Sequence, residues 1–387
     1  EQTTRLRLEA RVDERPAEPP AELFGLVEYP APLGSNLAYL SAFEPAAELR
    51  PAIVWITGGF PVARGGSYIW RRGPLDNEQS ASAFRDAGVV MLFPTVRGTA
   101  GNPGLQEQFY GEVDDVVAAG EYLRGLPGID PERVYLGGHS SGGTLALLVA
   151  ESTDLFRAVF SFGPVGSMED YGGHDWHFDV EDAREAGLRS PIEHLQRLST
   201  PTWVFEGRGG NIEDLEALRA ADRFELFATL ALPRDDHFSL LTPINRLLAE
   251  RVASHVDGRF RLDLDQVAAA AEDMWNARRE ERDLRLLAEL RLAGHRWGEP
   301  LTLRSTIRAR SRGSIDAVRE ALAERNFRVS RAYEAHDDDG DPCLRATFER
   351  DLLFEPAAVL QATQSVAEGA SDQGLVDEGW SVRLRTP

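Results

Sequence analysis

The 387-residue sequence contains no lysine and a single cysteine, Cys343. One cysteine excludes an intramolecular disulfide and a cysteine-rich zinc site, so a cytoplasmic protein is the default expectation. No apolar run approaches the roughly 18 to 20 residues needed to cross a bilayer, which argues against a membrane-spanning protein. The chain opens with Glu1 and has no signal-like apolar segment at its start, and export after removal of a signal stays an open alternative.

Positive charge is scarce relative to negative charge. The sequence carries 63 acidic and 42 basic residues, all of the latter arginine, for a formal net charge of -21. A surface this acidic argues against nucleic acid or an anionic membrane as the main partner. With 42% hydrophobic residues the chain can bury a sizeable core, and its length predicts a second, smaller domain beside the main one.

The most informative motif is the Gly-x-Ser-x-Gly stretch Gly138–Gly142. It lies between a short buried strand predicted over Arg133–Gly137 and a buried helix predicted over Thr144–Ala150. A serine on such a sharp strand-to-helix turn is held out at the top of a sheet, and the glycines around it meet a steric need. The helix N-terminus beneath it favours a developing oxyanion. Ser140 is therefore the candidate nucleophile.

The order of elements around this motif predicts an α/β-hydrolase domain over residues 1–258, with a doubly wound, mostly parallel sheet. An antiparallel lead-in with strands at Arg5–Val12, Leu23–Tyr29 and Asn36–Phe43 comes first. After it, strands are predicted at Ala52–Thr57, Val89–Phe93, Arg157–Phe162, Thr202–Glu206 and Arg223–Ala228. Helices are predicted at Gln79–Asp86, Gly111–Arg124, Ile192–Leu198, Glu213–Ala221 and Pro243–Val256.

The remaining sequence predicts a helical connector over 259–298 and a ferredoxin-like α+β domain over 299–387. The predicted order in the latter is β-α-β-β-α-β, with the acidic stretch Asp337–Asp341 as a hairpin turn. That stretch lacks the closing glutamate of a calcium loop, so a solvated turn is the better interpretation.

His237 is the candidate general base. It follows the last predicted core strand and precedes the final helix, where its ring can reach back over the sheet top. The paired glycines after the first core strand predict the second half of an oxyanion hole, formed by the backbone amides of Ser141 and of Gly59 or Phe60.

The sequence does not identify clearly the acid that should orient the histidine. The loop after the strand Thr202–Glu206 has glycine, at Gly207, Gly209 and Gly210, where an aspartate is expected. Glu206 at the strand end is the first candidate, and Asp214, Asp175 and Asp179 are the reserves.

The long irregular stretch 163–189 is a candidate lid or pocket wall because loops of this length are usually functional. Its aromatic residues Tyr171, Trp176 and Phe178 are candidate substrate contacts, and a disordered insertion is the alternative. His174, Asp175 and His177 are residue types that can bind a metal ion, but no further ligand at a suitable spacing in the sequence accompanies them. No metal or cofactor is expected.

Residues 30–257 resemble the prolyl-oligopeptidase-like branch of the α/β-hydrolases. The resemblance is carried by the Gly138–Gly142 motif together with Val54–Gly59, Arg97–Asn102, Asp130–Val134, Ser190–Glu193 and Asp236–Phe238. It implies a serine hydrolase. Two departures, glycine at 210 and no room for a β-propeller, favour carboxylesterase-like activity on a small ester or amide over peptidase activity. The alternatives are a peptidase and a catalytically silent scaffold for protein binding.

Residues 300–385 resemble the protein regulators of ribonuclease E, type B. The predicted element order and the closing Gly374–Trp380 phrase carry this resemblance. It implies a small interaction domain, and therefore a protein partner as an additional expectation.

Overall fold

The computed structural model describes residues 3–45, 48–172, 175–221, 225–292, 296, 298–309, 312–336, 342–373 and 375–384. The chain divides into two compact units, Glu1–Ala271 and Glu272–Pro387. The acidic stretch Asp337–Asp341 and His174, both singled out from the sequence, lie outside the described residues. In the part of the chain that the structure describes, no helix is both long enough and apolar enough to span a bilayer.

The N-terminal unit is built on one eight-stranded sheet. Its strands are β1 (Phe24–Ala31), β2 (Gly34–Ser41), β3 (Arg50–Ile56), β4 (Val90–Pro94), β5 (Ile129–His139), β6 (Val159–Phe162), β7 (Thr202–Gly207) and β8 (Phe227–Leu232). They lie in the order β1-β2-β4-β3-β5-β6-β7-β8. The β1–β2 and β2–β4 pairs are antiparallel and the other five are parallel. The predicted α/β-hydrolase-like fold with a mostly parallel sheet is confirmed.

Helices cover both faces of this sheet. The helices that pack on it are α1 (Ser82–Asp86), α2 (Glu112–Arg124), α3 (Ser141–Ala150), α5 (Ile212–Ala221) and α6 (Leu241–Ser254). The short helix α4 (Ala183–Gly187) lies in the long stretch after β6, and the division into units falls within α7 (Leu264–Leu292). Alternate residues of β3 serve the two faces: Val54 and Ile56 pack in one core with α2 and α3, and Ile53 and Trp55 in the other with α1 and α6. Successive side chains of a strand point to opposite faces of the sheet. A strand whose sheet is covered on both faces must therefore be apolar at every position.

The strand predicted over Arg5–Val12 does not form. This segment makes only an isolated bridge, between Leu6 and Phe178, and Val12 donates its amide to the Gly98 carbonyl at 2.8 Å. Its apolar residues mimic a strand, but its backbone groups are satisfied by loops, so it adds nothing to the sheet.

Two further elements differ from their predicted form. The helix predicted over Ile192–Leu198 is replaced by two short 3₁₀ turns, Pro191–Glu193 and Leu195–Arg197, because the backbone of His194 departs from helical angles. The strand predicted at Arg223–Ala228 begins at Phe227 and continues to Leu232, where it pairs with β7 to that strand's end.

The C-terminal unit contains a four-stranded antiparallel sheet. Its elements follow the order β9 (Pro300–Ala309), α8 (Arg312–Ala323), β10 (Arg328–His336), β11 (Pro342–Leu353), α9 (Pro356–Asp372) and β12 (Val376–Leu384), and the strands lie in the order β10-β11-β9-β12. One apolar cluster joins both helices to the sheet, with Ile307, Val318, Phe348 and Val366 almost fully buried. Thr363 on α9 donates to the buried carboxylate of Asp283 at 2.7 Å.

Candidate active site

Ser140 lies on a strained turn between β5 and α3. Its backbone has φ of 58° and ψ of -125°, a conformation that side-chain-bearing residues rarely adopt. The strand and helix approach so closely that a Cβ at Gly138 would lie 2.2 Å from the Gly142 carbonyl oxygen, and one at Gly142 would lie 2.3 Å from that of Ile56. Only glycine fits at both positions, so the flanking glycines of the motif are structural requirements of the turn.

A buried carboxylate lies against the ring of His237. Glu206 is the next-to-last residue of β7 and is 0% exposed, and its Oε2 is 3.0 Å from His237 Nδ1. The same carboxylate accepts the backbone amides of Gly207 at 2.7 Å and Asn211 at 2.9 Å. Two amide donors and the ring nitrogen compensate the cost of burying this group, and they hold it in one orientation.

The three reserve acids have other surroundings. Asp214 accepts the Gly166 amide at 2.7 Å, and burial raises the pKa of its carboxyl to about 7. Asp179 forms an ion pair with Arg7, and Asp175 lines a cavity beside the aromatic loop. Of the four candidates proposed from the sequence, Glu206 is the one in contact with His237.

The glycines around this pair leave the room that it occupies. A Cβ at Gly210 would lie 2.5 Å from Glu206 Oε1, and one at Gly163 would lie 2.4 Å from His237 Cε1. The carboxylate of Glu206 thus fills the space that a side chain at position 210 would enter. Glycine is needed at position 210 because the acid comes from the strand end and its side chain occupies the space next to this loop.

We expect Gly210→Ala to lower kcat about 100-fold, because the added methyl group displaces the Glu206 carboxylate from the imidazole by an ångström or more. Gly187→Ala is the matched control, since a Cβ there meets nothing within 4 Å. Steady-state kinetics of both variants check this, and wild-type kinetics in Gly210→Ala would contradict it.

A second histidine, not singled out from the sequence, supports His237 from behind. The His139 and His237 rings have centroids 4.7 Å apart, and His139 Nε2 lies 2.8 Å from the His237 carbonyl oxygen. Burial lowers the pKa of His139 to about 3, with the neighbouring His237 as a smaller cause. His139 therefore stays neutral at physiological pH and donates to that carbonyl, which fixes the backbone of the His237 loop.

The depressed pKa of His139 predicts a pH-dependent stability. The unfolded chain binds a proton at this histidine below about pH 6.5 and the folded chain does not, so acidification favours unfolding. We expect this one group to cost about 2 kcal/mol at pH 5 relative to pH 7. Urea unfolding of wild type and His139→Gln at both pH values measures the difference, and an equal loss in both proteins would contradict the assignment.

The predicted oxyanion-hole residues lie together beside the turn. The Ser141 hydroxyl, at the first position of α3, donates to the Gly59 carbonyl at 2.8 Å. Because the carbonyl and amide of one peptide plane point in opposite directions, this bond also sets the direction of the Phe60 amide.

Aromatic rings form one cluster next to this loop. The Phe60 ring packs edge-on against Phe109, Tyr171 and Trp176, with centroids 5.2 to 5.9 Å apart. Tyr171 and Trp176, both predicted substrate contacts, therefore lie beside Phe60 in the loop that follows β3. Phe178, the third, is 1% exposed and lies behind Trp176 at 5.3 Å.

Metal-ligand types do not converge anywhere in the described residues: no group of three or more histidine, cysteine, aspartate or glutamate side chains there could hold an ion. His177 is buried, with Nδ1 3.2 Å from the Gln106 carbonyl oxygen.

Comparison with known proteins gives one family and several solved structures. The solved structures include a puromycin hydrolase (19% identity, 59% of this chain and 39% of that chain, TM-score 0.47). A puromycin-hydrolyzing peptidase of Mycobacterium tuberculosis aligns at 19% identity over 60% of this chain and 39% of its own (TM-score 0.48). The acylaminoacyl peptidase of Pyrococcus horikoshii aligns at 14% over 63% and 44% (TM-score 0.45). This chain thus matches less than half the length of each.

The family match covers residues 76–209, about a third of the chain, and its description is the prolyl oligopeptidase family. This segment includes the whole strained turn and extends just past Glu206. The chain is accordingly an α/β-hydrolase-like protein whose segment 76–209 is similar to the prolyl oligopeptidase family.

Proposed function

We propose that the protein is a serine hydrolase that cleaves a peptide or amide bond through an acyl-enzyme, with Ser140, His237 and Glu206 as its catalytic residues. The observation that carries the proposal is the 3.0 Å contact between the buried Glu206 carboxylate and His237 Nδ1, in a fold that also holds Ser140 on a strained turn. The family match of the segment containing Ser140 and Glu206 supports the same reaction class.

In the proposed reaction, the Glu206 carboxylate accepts a hydrogen bond from the Nδ1–H of His237, which fixes the tautomer in which Nε2 is unprotonated and acts as the base. His237 takes the hydroxyl proton as Ser140 Oγ attacks the carbonyl carbon. The tetrahedral intermediate collapses when the imidazolium gives that proton to the departing amine. Water then gives a proton to His237 Nε2 as its oxygen attacks the acyl carbon. The bond from that carbon to Ser140 Oγ breaks, His237 returns the proton to Oγ, and the acid leaves.

The amides of Ser141 and of Gly59 or Phe60 are the proposed oxyanion hole. Ser141 begins α3, where unsatisfied amides and the positive end of the helix dipole favour negative charge. The bond from the Ser141 hydroxyl to the Gly59 carbonyl holds the second donor loop in place. Donors fixed before the reaction cost no reorganisation when the oxyanion forms.

Peptide or amide substrates are preferred to the small esters that the sequence alone favours, because the family model that matches residues 76–209 is described as the prolyl oligopeptidase family. Esters and amides share the acyl-enzyme route, so the two classes are separated by experiment. We expect turnover of aminoacyl p-nitroanilides as well as p-nitrophenyl esters. Turnover of the esters alone would restore the carboxylesterase interpretation.

The competing hypothesis of a catalytically silent scaffold is motivated by the missing aspartate, and it is weakened by a carboxylate within hydrogen-bond reach of His237. The contact with Glu206 supplies one, so the observation that motivated this alternative, the glycine at position 210, no longer favours it.

For the C-terminal unit we propose a ferredoxin-like domain that binds a protein partner. Its β-α-β-β-α-β order and antiparallel strand order β10-β11-β9-β12 support the fold assignment. We also keep the division into residues 1–258, a connector over 259–298 and residues 299–387 as a proposal. Pull-down with the full chain and with a chain ending at residue 298 tests whether a partner requires the last domain.

A further inference from the structure

A cavity of about 290 Å³ lies beside the oxyanion loop. The rings of Phe60 and Phe109 form its apolar wall, and Glu112, Asp175 and His177 contribute polar groups. Phe60 also supplies a candidate oxyanion-hole amide, so the cavity shares a wall with the proposed active site. Its volume is at the lower limit of the roughly 300 to 1,000 Å³ of pockets for drug-sized ligands, which suits one residue-sized group of a substrate.

Glu112 brings an incompletely satisfied carboxyl group to this cavity. It is the first residue of α2 and only 1% exposed. Its Oε1 accepts the amides of Glu107 at 2.7 Å and Gln108 at 3.0 Å. Within the described residues its Oε2 has no hydrogen-bond partner. Because buried polar atoms are almost always paired, an unpaired carboxylate oxygen on a residue that lines a cavity indicates a group that arrives with a ligand.

The two arginines that interact electrostatically with Glu112 make their hydrogen bonds to other groups. Arg189 donates to the Glu185 carboxylate at 3.0 Å and to the Glu107 and Gln108 carbonyl oxygens at 2.9 to 3.1 Å. Arg97 directs its guanidinium to Asp115, at 2.9 and 3.0 Å, and to Glu107 at 3.0 Å. Burial raises the pKa of Glu112 to about 7, so a ligand can readily set its ionisation state.

The surroundings favour a positive ligand over a neutral one. Asp175 adds a second acid to the cavity lining, and a second negative charge increases the attraction for a cation. A cation beside Glu112 Oε2 would stabilise the charged form of the carboxylate, and it would replace the hydration that the carboxylate loses on burial.

We propose that this cavity is a substrate subsite in which Glu112 Oε2 binds a positively charged nitrogen of the acyl part of the substrate. The proposal rests on the hydrolase function proposed above and names its substrate class: peptides or amides with a cation near the scissile bond. Two groups share this chemistry, the α-ammonium of an N-terminal residue and the side chain of arginine or lysine.

Three substrates distinguish these sources in the full-length protein: leucine p-nitroanilide carries only the α-ammonium, N-acetyl-arginine p-nitroanilide only the side-chain cation, and N-acetyl-leucine p-nitroanilide neither. We expect one of the two cationic substrates to exceed the neutral one in kcat/KM at least about tenfold. Glu112→Gln, which keeps an acceptor for the two amides, should lower kcat/KM for that substrate roughly 10- to 100-fold and leave the neutral one within a few-fold.

Asp114→Asn is the control variant, because it removes one negative charge from the same helical turn at an exposed position. It should leave all three values near wild type. Equal turnover of neutral and cationic substrates, or an equal loss for all three in Glu112→Gln, would overturn the subsite. If Ser140 also fails to react with a fluorophosphonate, the hydrolase function itself is wrong and the subsite falls with it. A labelled Ser140 without cation preference overturns the subsite alone.

Discussion

Replacing Ser140 with alanine is expected to lower kcat/KM for a p-nitroanilide or ester substrate at least about 10⁴-fold. The variant has no hydroxyl to form the acyl-enzyme, and only the oxyanion donors and substrate binding then remain to assist attack by water. Alanine also fits the strained backbone no worse than serine does, so the fold should persist. Steady-state kinetics, with circular dichroism to establish folding, measure the effect.

The matched control is Ser152→Ala, an exposed serine just beyond the end of α3 whose hydroxyl donates only to the Val149 carbonyl. It should retain wild-type kinetics. Residual activity of Ser140→Ala above a tenth of wild type would mean that another group is the nucleophile.

Glu206→Gln is expected to lower kcat about 10³- to 10⁴-fold with a much smaller change in KM. The amide has nearly the shape of the carboxylate, but it has no negative charge to stabilise the imidazolium. It also presents an N–H to the ring, which favours the wrong tautomer of His237. Gly207 donates to Oε1 and Asn211 to Oε2, so the single oxygen of glutamine can accept only one of these backbone amides. Circular dichroism and urea unfolding therefore accompany the kinetics and separate a catalytic loss from a loss of stability.

Glu216→Gln, on the exposed side of α5, is the control for the loss of one negative charge and should behave as wild type. Glu206→Ala goes further, because it leaves buried amides unpaired and should also destabilise the fold by about 1 to 3 kcal/mol. Normal kcat in Glu206→Gln would show that Glu206 is not the acid that His237 requires, and it would revive the reserve acids.

Much of the N-terminal fold could be predicted because its strands are continuously apolar and its helices are bounded by glycine and proline. The core strands and the helix after Ser140 appear within a few residues of their predicted bounds. Arg5–Val12 shows where local pattern fails: it has the residues of a strand, but whether it pairs with one depends on contacts far along the chain.

The active site could be predicted only in part, because it too depends on contacts between residues far apart in the sequence. Ser140 and His237 are named by motif and chain order, but the acid is not. Sequence alone cannot tell that the Glu206 side chain turns into the space left by Gly210, because this depends on the separation of two loops. Nothing local marks Glu112 either. An acid in the first turn of a helix is ordinary, and its unsatisfied oxygen is visible only once the cavity is built.

The central claim is that Ser140 is a nucleophile activated by His237 and Glu206. Mass spectrometry of the wild-type protein after reaction with a fluorophosphonate tests it most directly. The account predicts one adduct per chain, on the peptide containing Ser140, formed far more slowly in Glu206→Gln and absent in Ser140→Ala. No adduct on the folded wild-type protein, or an adduct on another residue, would contradict it.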